Sequence, residues 1–190
     1  MLIFLMKVLI VVDMQNDFIN GSLGTEEAVA IVPNVKKKIE EYRDRSDVIV
    51  FTRDTHHEDY FFTSEGKHLP VRHCVEFAYG WQIEENLKEA AGNPFIVNKS
   101  TFGYRGWHSA LAKPSKIYVW EWFNLENASE IELVGLCTDV CVVSNALILK
   151  TMYPETKITV DASCCAGVTP ESHKAALTTM KMCQINVIGE

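Results

Sequence analysis

Cys141 follows a run that turns a strand into a helix. Ile131 to Val134 is apolar and β-prone, Gly135 allows a tight turn, and Thr138 and Asp139 are capping candidates for a helix that opens at once. A cysteine in the first turn of a helix meets unpaired N–H groups and the positive end of the helix dipole. Both favour a thiolate, so Cys141 has the setting of a nucleophile. The opposing reading makes Cys137 and Cys141 two small buried hydrophobes. Asp13 ends the apolar run Val8–Val12 and offers either a base for that thiol or a cap for the turn that follows. Lys99, after Phe95-Ile96-Val97-Asn98, is either a solvated surface ammonium or a cation that holds a thiolate and a carboxylate together. A thiol, a base and a cation are the groups that nucleophilic catalysis through sulfur uses.

A second set suits a metal. Asp54 and His56 stand two residues apart at the end of a β-prone run, where an extended backbone puts both side chains on one face. His73 lies on the segment from His57 to Gly80, whose weak periodicity reads as a functional loop. Two histidines and a carboxylate suit a divalent metal with open positions, zinc first and iron or manganese as alternatives. The same three residues also fit a solvated loop with no ion. Non-haem iron oxygenases use these ligand types too, but on β-rich folds.

The elements that would position these residues alternate. Short β-rich runs occur at Val8–Val12, Val48–Thr52, Phe95–Asn98, Ile131–Val134, Ile158–Val160 and Ile185–Ile188. Helical spacing separates them. Val32, Val35, Ile39 and Tyr42 share one face, with Pro33 near the helix start and Lys36–Lys38 and Glu40–Glu41 towards water. Val142 to Leu149 and Pro170 to Met182 also read as helices, the second opened by Thr169 and Pro170. Tyr118 to Leu125 reads as helix or irregular. Strands apolar on both faces and alternating with helices predict a parallel sheet covered on both sides, a three-layer α/β/α class. Such sheets bind ligands beyond the carboxyl ends of their strands, where Asp13, Asp54, Lys99 and the Cys137–Cys141 turn all fall.

The 190 residues are 47% hydrophobic, enough to bury the core of one domain spanning 1–190. A net charge of −7 argues against nucleic acid or an anionic membrane as partner. Met1 to Val12 is apolar but has no basic flank or cleavage site and is too short to span a bilayer; Met6 is an alternative start. Six cysteines without a secretory signal or CxxC pairs read as reduced thiols in the cytosol.

Four segments together resemble the isochorismatase-like cysteine hydrolases: Val12-Asp13-Met14-Gln15-Asn16-Asp17-Phe18, Arg53-Asp54-Thr55-His56, Asn98-Lys99-Ser100-Thr101-Phe102 and Gly135-Leu136-Cys137-Thr138-Asp139-Val140-Cys141-Val142. They occur in the family's order along nearly the whole chain, and within the family the nearest resemblance is to the nicotinamidases. The resemblance implies a six-stranded, mainly parallel, Rossmann-like sheet. It implies Asp13, Lys99 and Cys141 as catalytic residues, and a cis peptide between Leu136 and Cys137. The backbone N–H groups of Cys137 and Cys141 would form the oxyanion hole. It also implies a metal held by Asp54, His56 and His73, with Glu65 as the fourth ligand found in some members. His57 and His68 are spare candidates, and His73 is preferred because Leu69-Pro70-Val71-Arg72-His73-Cys74 resembles the family's Pro-then-His-Cys pattern. A glycine-rich stretch common after His-Cys is replaced here by Val75-Glu76-Phe77-Ala78-Tyr79-Gly80-Trp81.

The activity so implied is hydrolysis of nicotinamide to nicotinate and ammonia through a thioester, a step of NAD salvage. Phe18, Leu69, Phe102, Tyr104 and Trp107 are candidates for the wall around the ring, with plain core as the competing reading for the aromatics. Three other readings stay open. Isochorismatases share the fold but use no nucleophilic cysteine; amidohydrolases of N-carbamoyl or ureido substrates keep the cysteine but commonly lack the metal histidines. The third is a non-catalytic binding protein on the same fold. The partners expected are a small amide and further copies of the chain in a homo-oligomer.

Overall fold

A computed structural model of the chain describes residues 6–114 and 120–190. The first apolar run is a strand, β1 (Met6–Val12), followed by a single turn, α1 (Asn16–Ile19), and a long helix, α2 (Glu26–Asp44). Strand β2 (Val48–Asp54), the short helix α3 (Ser64–His68) and α4 (Glu85–Ala91) lead to β3 (Phe95–Lys99). A hairpin, β4 (Leu111–Pro114) and β5 (Trp120–Phe123), precedes β6 (Ala128–Leu136). Then come a wide turn over Thr138–Val142, α5 (Val143–Met152), β7 (Lys157–Ala166), α6 (Pro170–Met182) and β8 (Asn186–Ile188).

All six predicted strands are present, and they form one parallel sheet in the order β3-β2-β1-β6-β7-β8. The period-2 alternation of β1 divides the core. Val8, Ile10 and Val12 face the α5–α6 side with Val142, Ala146, Leu149, Leu177 and Met180. Leu9 and Val11 face α2 and α4, meeting Ile31, Val35, Ile39, Tyr42 and Leu87. Gly135 is required where β6 passes β1: its φ is +115°, and a Cβ there would lie 2.2 Å from the Val12 carbonyl oxygen.

Four expectations are corrected. Helix α2 begins seven residues before Pro33, because Thr25 caps it by accepting the Ala28 N–H at 3.0 Å. Pro33 is tolerated inside because it sits on an exposed face, where water can take the Val29 carbonyl that it leaves unpaired. Lys38 turns inward and pairs with Glu132 at 2.8 Å and Asp161 at 2.9 Å, since those buried carboxylates need a cation. Trp120–Phe123 is a strand, paired antiparallel with Leu111–Pro114; the pairing partner, not local period, decides it. The segment after His57 is also more ordered than a bare loop: a 3₁₀ turn (Tyr60–Phe62) and α3 lie within it, and Val75 bridges to His56. Met1–Leu5, Tyr118 and Val119 lie outside the described residues. Among those described, the six cysteines are free thiols, and no helix is long and apolar enough to cross a membrane.

Candidate active site

The carboxyl ends of β1, β2, β3 and β6 bring the predicted residues together. Lys99 Nζ lies 2.6 Å from Asp13 Oδ2, 3.4 Å from Asp54 Oδ1 and 3.5 Å from Cys141 Sγ. All four residues are nearly inaccessible to solvent, Asp13 at 0% and Cys141 at 6%. Asp13 leaves β1 in the left-handed region, φ +47°, and is held there by Thr52. The Thr52 hydroxyl donates to Asp13 Oδ1 at 2.6 Å and accepts the Asp13 N–H at 3.1 Å.

Charge in this group is collective. Burial raises the Asp13 carboxyl above its usual value, while Lys99 opposes the shift. Burial works against the Lys99 ammonium, but Asp13, Cys141 and Asp54 outweigh it and hold its pKa well above the usual lysine value. Burial, then the Asp13 charge, pushes the Cys141 thiol well above its usual value despite Lys99. Burial and the Asp13 charge thus oppose the thiolate that a helix start would favour.

The turn itself differs from the expected cap. Val142 N–H reaches the Cys137 carbonyl five residues back at 3.0 Å, a π-type widening that precedes α5. Neither Thr138 nor Asp139 caps it. Thr138 Oγ1 bonds to His173 Nδ1 at 2.8 Å, and the Asp139 carboxylate accepts the Val168 N–H at 3.1 Å, tying the turn to the loop after β7. The Leu136–Cys137 peptide is cis. Burial, then Asp139, pushes the Cys137 thiol up to about 12, so its sulfur is inert near neutral pH.

Asp54, His56, Glu65 and His73 each offer one ligand atom, and these atoms lie within 4.8 Å of one another. The donor set fits a divalent metal on two observations. His73 Nδ1 lies 2.8 Å from the Val71 carbonyl and must donate to it, which leaves Nε2 as a lone-pair donor into the cluster. His56 Nε2 is buried with no aligned hydrogen-bond partner among the described residues, although Asp54 Oδ2 is 2.9 Å away. Without an ion, burial lowers His56 but Asp54 and Glu65 outweigh it, pushing its pKa up to about 9. Two carboxylates there hold a proton where a cation fits. His57 and His68 are both exposed, and His68 Nδ1 is engaged with the Ser64 carbonyl at 2.8 Å.

A cavity of about 150 Å³ joins the two groups. Asp54, Glu65, His73, Cys137 and Cys141 line it, as do Phe18, Leu69 and Phe102. A larger, open depression of about 470 Å³ lies at the opposite end of the strands, around Met6, Val48 and Phe95, away from all of these groups. Tyr104 and Trp107 belong to the core, not to the wall of the smaller cavity. Trp107 is fully buried against Tyr104, and its indole N–H donates to Asn145 Oδ1 at 2.9 Å. Their places are taken by Leu23, Thr25, Ala28, Val140 and Val168, which sequence reasoning missed. The segment Val75–Trp81 contributes no residue to this lining, and Phe77 and Tyr79 point outward at 80% and 78% exposure.

Two further residues escaped the sequence reading. The Gln15 amide spans Asp54, accepting its N–H at 2.7 Å and donating to its carbonyl and that of Trp81, both at 2.9 Å. Asn145 donates to the Cys141 carbonyl at 2.8 Å and accepts from Tyr104 N–H and Trp107. Asn145 follows Cys141 by one helical turn, the only signal that marks it in the sequence.

Known proteins share this fold. The isochorismatase-domain family model matches residues 7–189. The nicotinamidase/pyrazinamidase of Mycobacterium tuberculosis is 27% identical, over 96% of this chain and 98% of its own. A crystal structure of Pyrococcus horikoshii pyrazinamidase in complex with zinc superposes with a TM-score of 0.75 at 27% identity, covering 97% of this chain and 99% of that one. N-carbamoylsarcosine amidase from Thermoplasma acidophilum shares the fold, with a TM-score of 0.73 at 24% identity over 96% and 95% of the two chains.

Proposed function

Because the chain belongs to the isochorismatase family, we propose that it is a metal-containing cysteine amidohydrolase that converts nicotinamide to nicotinate and ammonia. The observation that carries the reading is that Asp13 and Lys99 meet at Cys141, which lines one cavity together with Asp54, Glu65 and His73 of the ligand cluster. Asp13 takes the Cys141 proton as the sulfur attacks the carboxamide carbon, and Lys99 offsets the charge that moves between them. The tetrahedral oxyanion is stabilised by the backbone N–H groups of Cys137 and Cys141. Collapse breaks the C–N bond, and Asp13 returns its proton to the departing nitrogen, which leaves as ammonia. Asp13 then deprotonates a water that attacks the thioester, releasing nicotinate and the Cys141 thiol. A divalent metal held by Asp54, His56, Glu65 and His73 would supply a Lewis-acidic anchor for the pyridine nitrogen.

The lining supports a small uncharged ring. Its charged side chains, Asp54 and Glu65, are taken up by the ligand cluster, and among the described residues the lining holds no lysine or arginine to pair with the carboxylate of an N-carbamoyl amino acid. Phe18, Leu69, Phe102, Val140 and Val168 supply apolar surface for a flat ring. The test is kcat/KM for nicotinamide and benzamide before and after metal removal. Nicotinamide is expected to be the better substrate and to lose far more on chelation, because only it offers a ring nitrogen. Equal losses would make the metal structural. Failure of the metal-replete protein to release ammonia from nicotinamide would overturn the substrate.

A further inference from the structure

Asp17 takes no part in the chemistry above, yet its carboxylate is built into the loop that carries His73. Asp17 Oδ2 accepts the Cys74 N–H at 2.8 Å, and Asp17's own N–H donates to the Gly80 carbonyl at 3.0 Å. Cys74 is not an ordinary loop residue. Its φ of +46° is a left-handed conformation that a residue with a Cβ adopts at a cost. Its carbonyl accepts the His56 N–H at 2.9 Å. Cys74 is thus bonded covalently to His73 and through its carbonyl to His56, whose rings lie 4.8 Å apart. Whatever fixes the Cys74 backbone fixes the spacing of both rings.

Gly80 supplies an independent observation. A Cβ at this position would fall 2.0 Å from Asp17 Oδ2 and 2.1 Å from its Cγ. The loop closes on the carboxylate until only a hydrogen fits.

We infer that Asp17 is a positioning residue for the metal centre: its carboxylate, enclosed under Gly80, holds Cys74 so that His56 and His73 converge on one cation. This rests on the reading of Asp54, His56, Glu65 and His73 as metal ligands. Asp17 is not one of the four ligands, and acts through the Cys74 backbone that links the two histidines. Partners of this outer kind typically change metal affinity by about 10–100-fold.

The experiment measures Zn²⁺ affinity of the metal-free protein by competition with a chromophoric chelator, and the visible spectrum of the Co²⁺-loaded protein. Asp17→Ala is expected to weaken Zn²⁺ binding about 10–100-fold and to alter the Co²⁺ spectrum, with the metal-free thermal midpoint changing far less. Asp17→Asn keeps one acceptor oxygen and loses less. Gly80→Ala is expected to act in the same direction, because the atom it displaces ends a side chain that can swing away from Cys74. The decisive comparison is the double variant. If Gly80→Ala works through the carboxylate, it adds little once Asp17→Ala is present. Wild-type affinity in folded Asp17→Ala, or fully additive losses in the double variant, overturns the inference. If Asp17→Ala fails to fold, Asp17→Asn and Gly80→Ala carry the same test, and wild-type affinity in both overturns it. A wild-type protein that binds Zn²⁺ no better than His56→Ala overturns the metal reading itself, and the positioning role with it.

Discussion

Replacing Thr52 by valine keeps the shape of the side chain and removes the hydroxyl that holds Asp13. That hydroxyl makes two buried bonds, donating to Oδ1 at 2.6 Å and accepting the Asp13 N–H at 3.1 Å, with both residues at 0% exposure. The first is a hydrogen bond to a charged group, worth about 1.5–3 kcal/mol, and loss of the second leaves a buried N–H unpaired at about 1–3 kcal/mol. The two share one oxygen and do not add in full, so Thr52→Val should cost about 3 kcal/mol. For a chain of this size, 1 kcal/mol moves Tm by about 2–4 °C, which makes the expected loss about 6–12 °C. Thr52→Ser keeps both bonds and deletes one methyl, about 0.8 kcal/mol before any cavity term, so its Tm should fall by only a few degrees. Freed from Thr52, the Asp13 carboxylate no longer points reliably at Cys141. The valine variant should therefore lose about 100-fold in kcat, with KM nearly unchanged because Thr52 does not line the cavity. Calorimetry and steady-state ammonia release read both effects. Equal Tm and kcat for the valine and serine variants would refute the claim that this hydroxyl holds the base.

Cys141→Ala should abolish amide hydrolysis, whereas Cys137→Ala should retain much of it, since only its backbone N–H is used; comparable losses in single-turnover assays would mean that the wrong sulfur is assigned. Asn145→Leu should lower Tm by about 8–16 °C, because about 4 kcal/mol follows from stranding the buried Trp107 and Tyr104 donors and the Cys141 carbonyl together. Lys38→Met should destabilise by about 3 kcal/mol at pH 7, leaving Glu132 and Asp161 buried without a cation. Burial alone would raise Asp161, but the Lys38 and Ser163 bonds hold it below its usual value. Its stabilising contribution in the wild type is therefore present above the unfolded pKa near 3.8 and lost as pH falls through the lower folded value. In Lys38→Met the burial of Asp161 is left without its cation, so its carboxyl shifts upward instead and protonation relieves it. The gap in urea midpoint between the two proteins should narrow from pH 7 to pH 4, and a constant gap would count against the ion triad.

The sequence alone determined the parallel sheet and the rim on which chemistry collects. Apolar runs, alternation with helical spacing, and the Thr169–Pro170 start of α6 are signals between near neighbours, and propensity and period report such signals directly. Asp13, Asp54, Lys99 and Cys141 were legible as rim residues for the same reason: each follows a strand whose end can be read locally. The tertiary structure decided what each rim residue meets. Gln15 reaches Asp54 across 39 positions, Asp17 reaches Cys74 across 57, and Trp107 reaches Asn145 across 38. Those partners are chosen by sheet register and loop closure, which no local period encodes. Trp107 and Tyr104 look like ring walls in a sequence, and become core only because Asn145, on a different element, satisfies their N–H groups. Lys38 sits among solvated charges along its helix, and turns inward only because β6 and β7 bring Glu132 and Asp161 beneath it. A buried polar group is settled by the partner that arrives from elsewhere in the chain, and burial is a property of the packed whole.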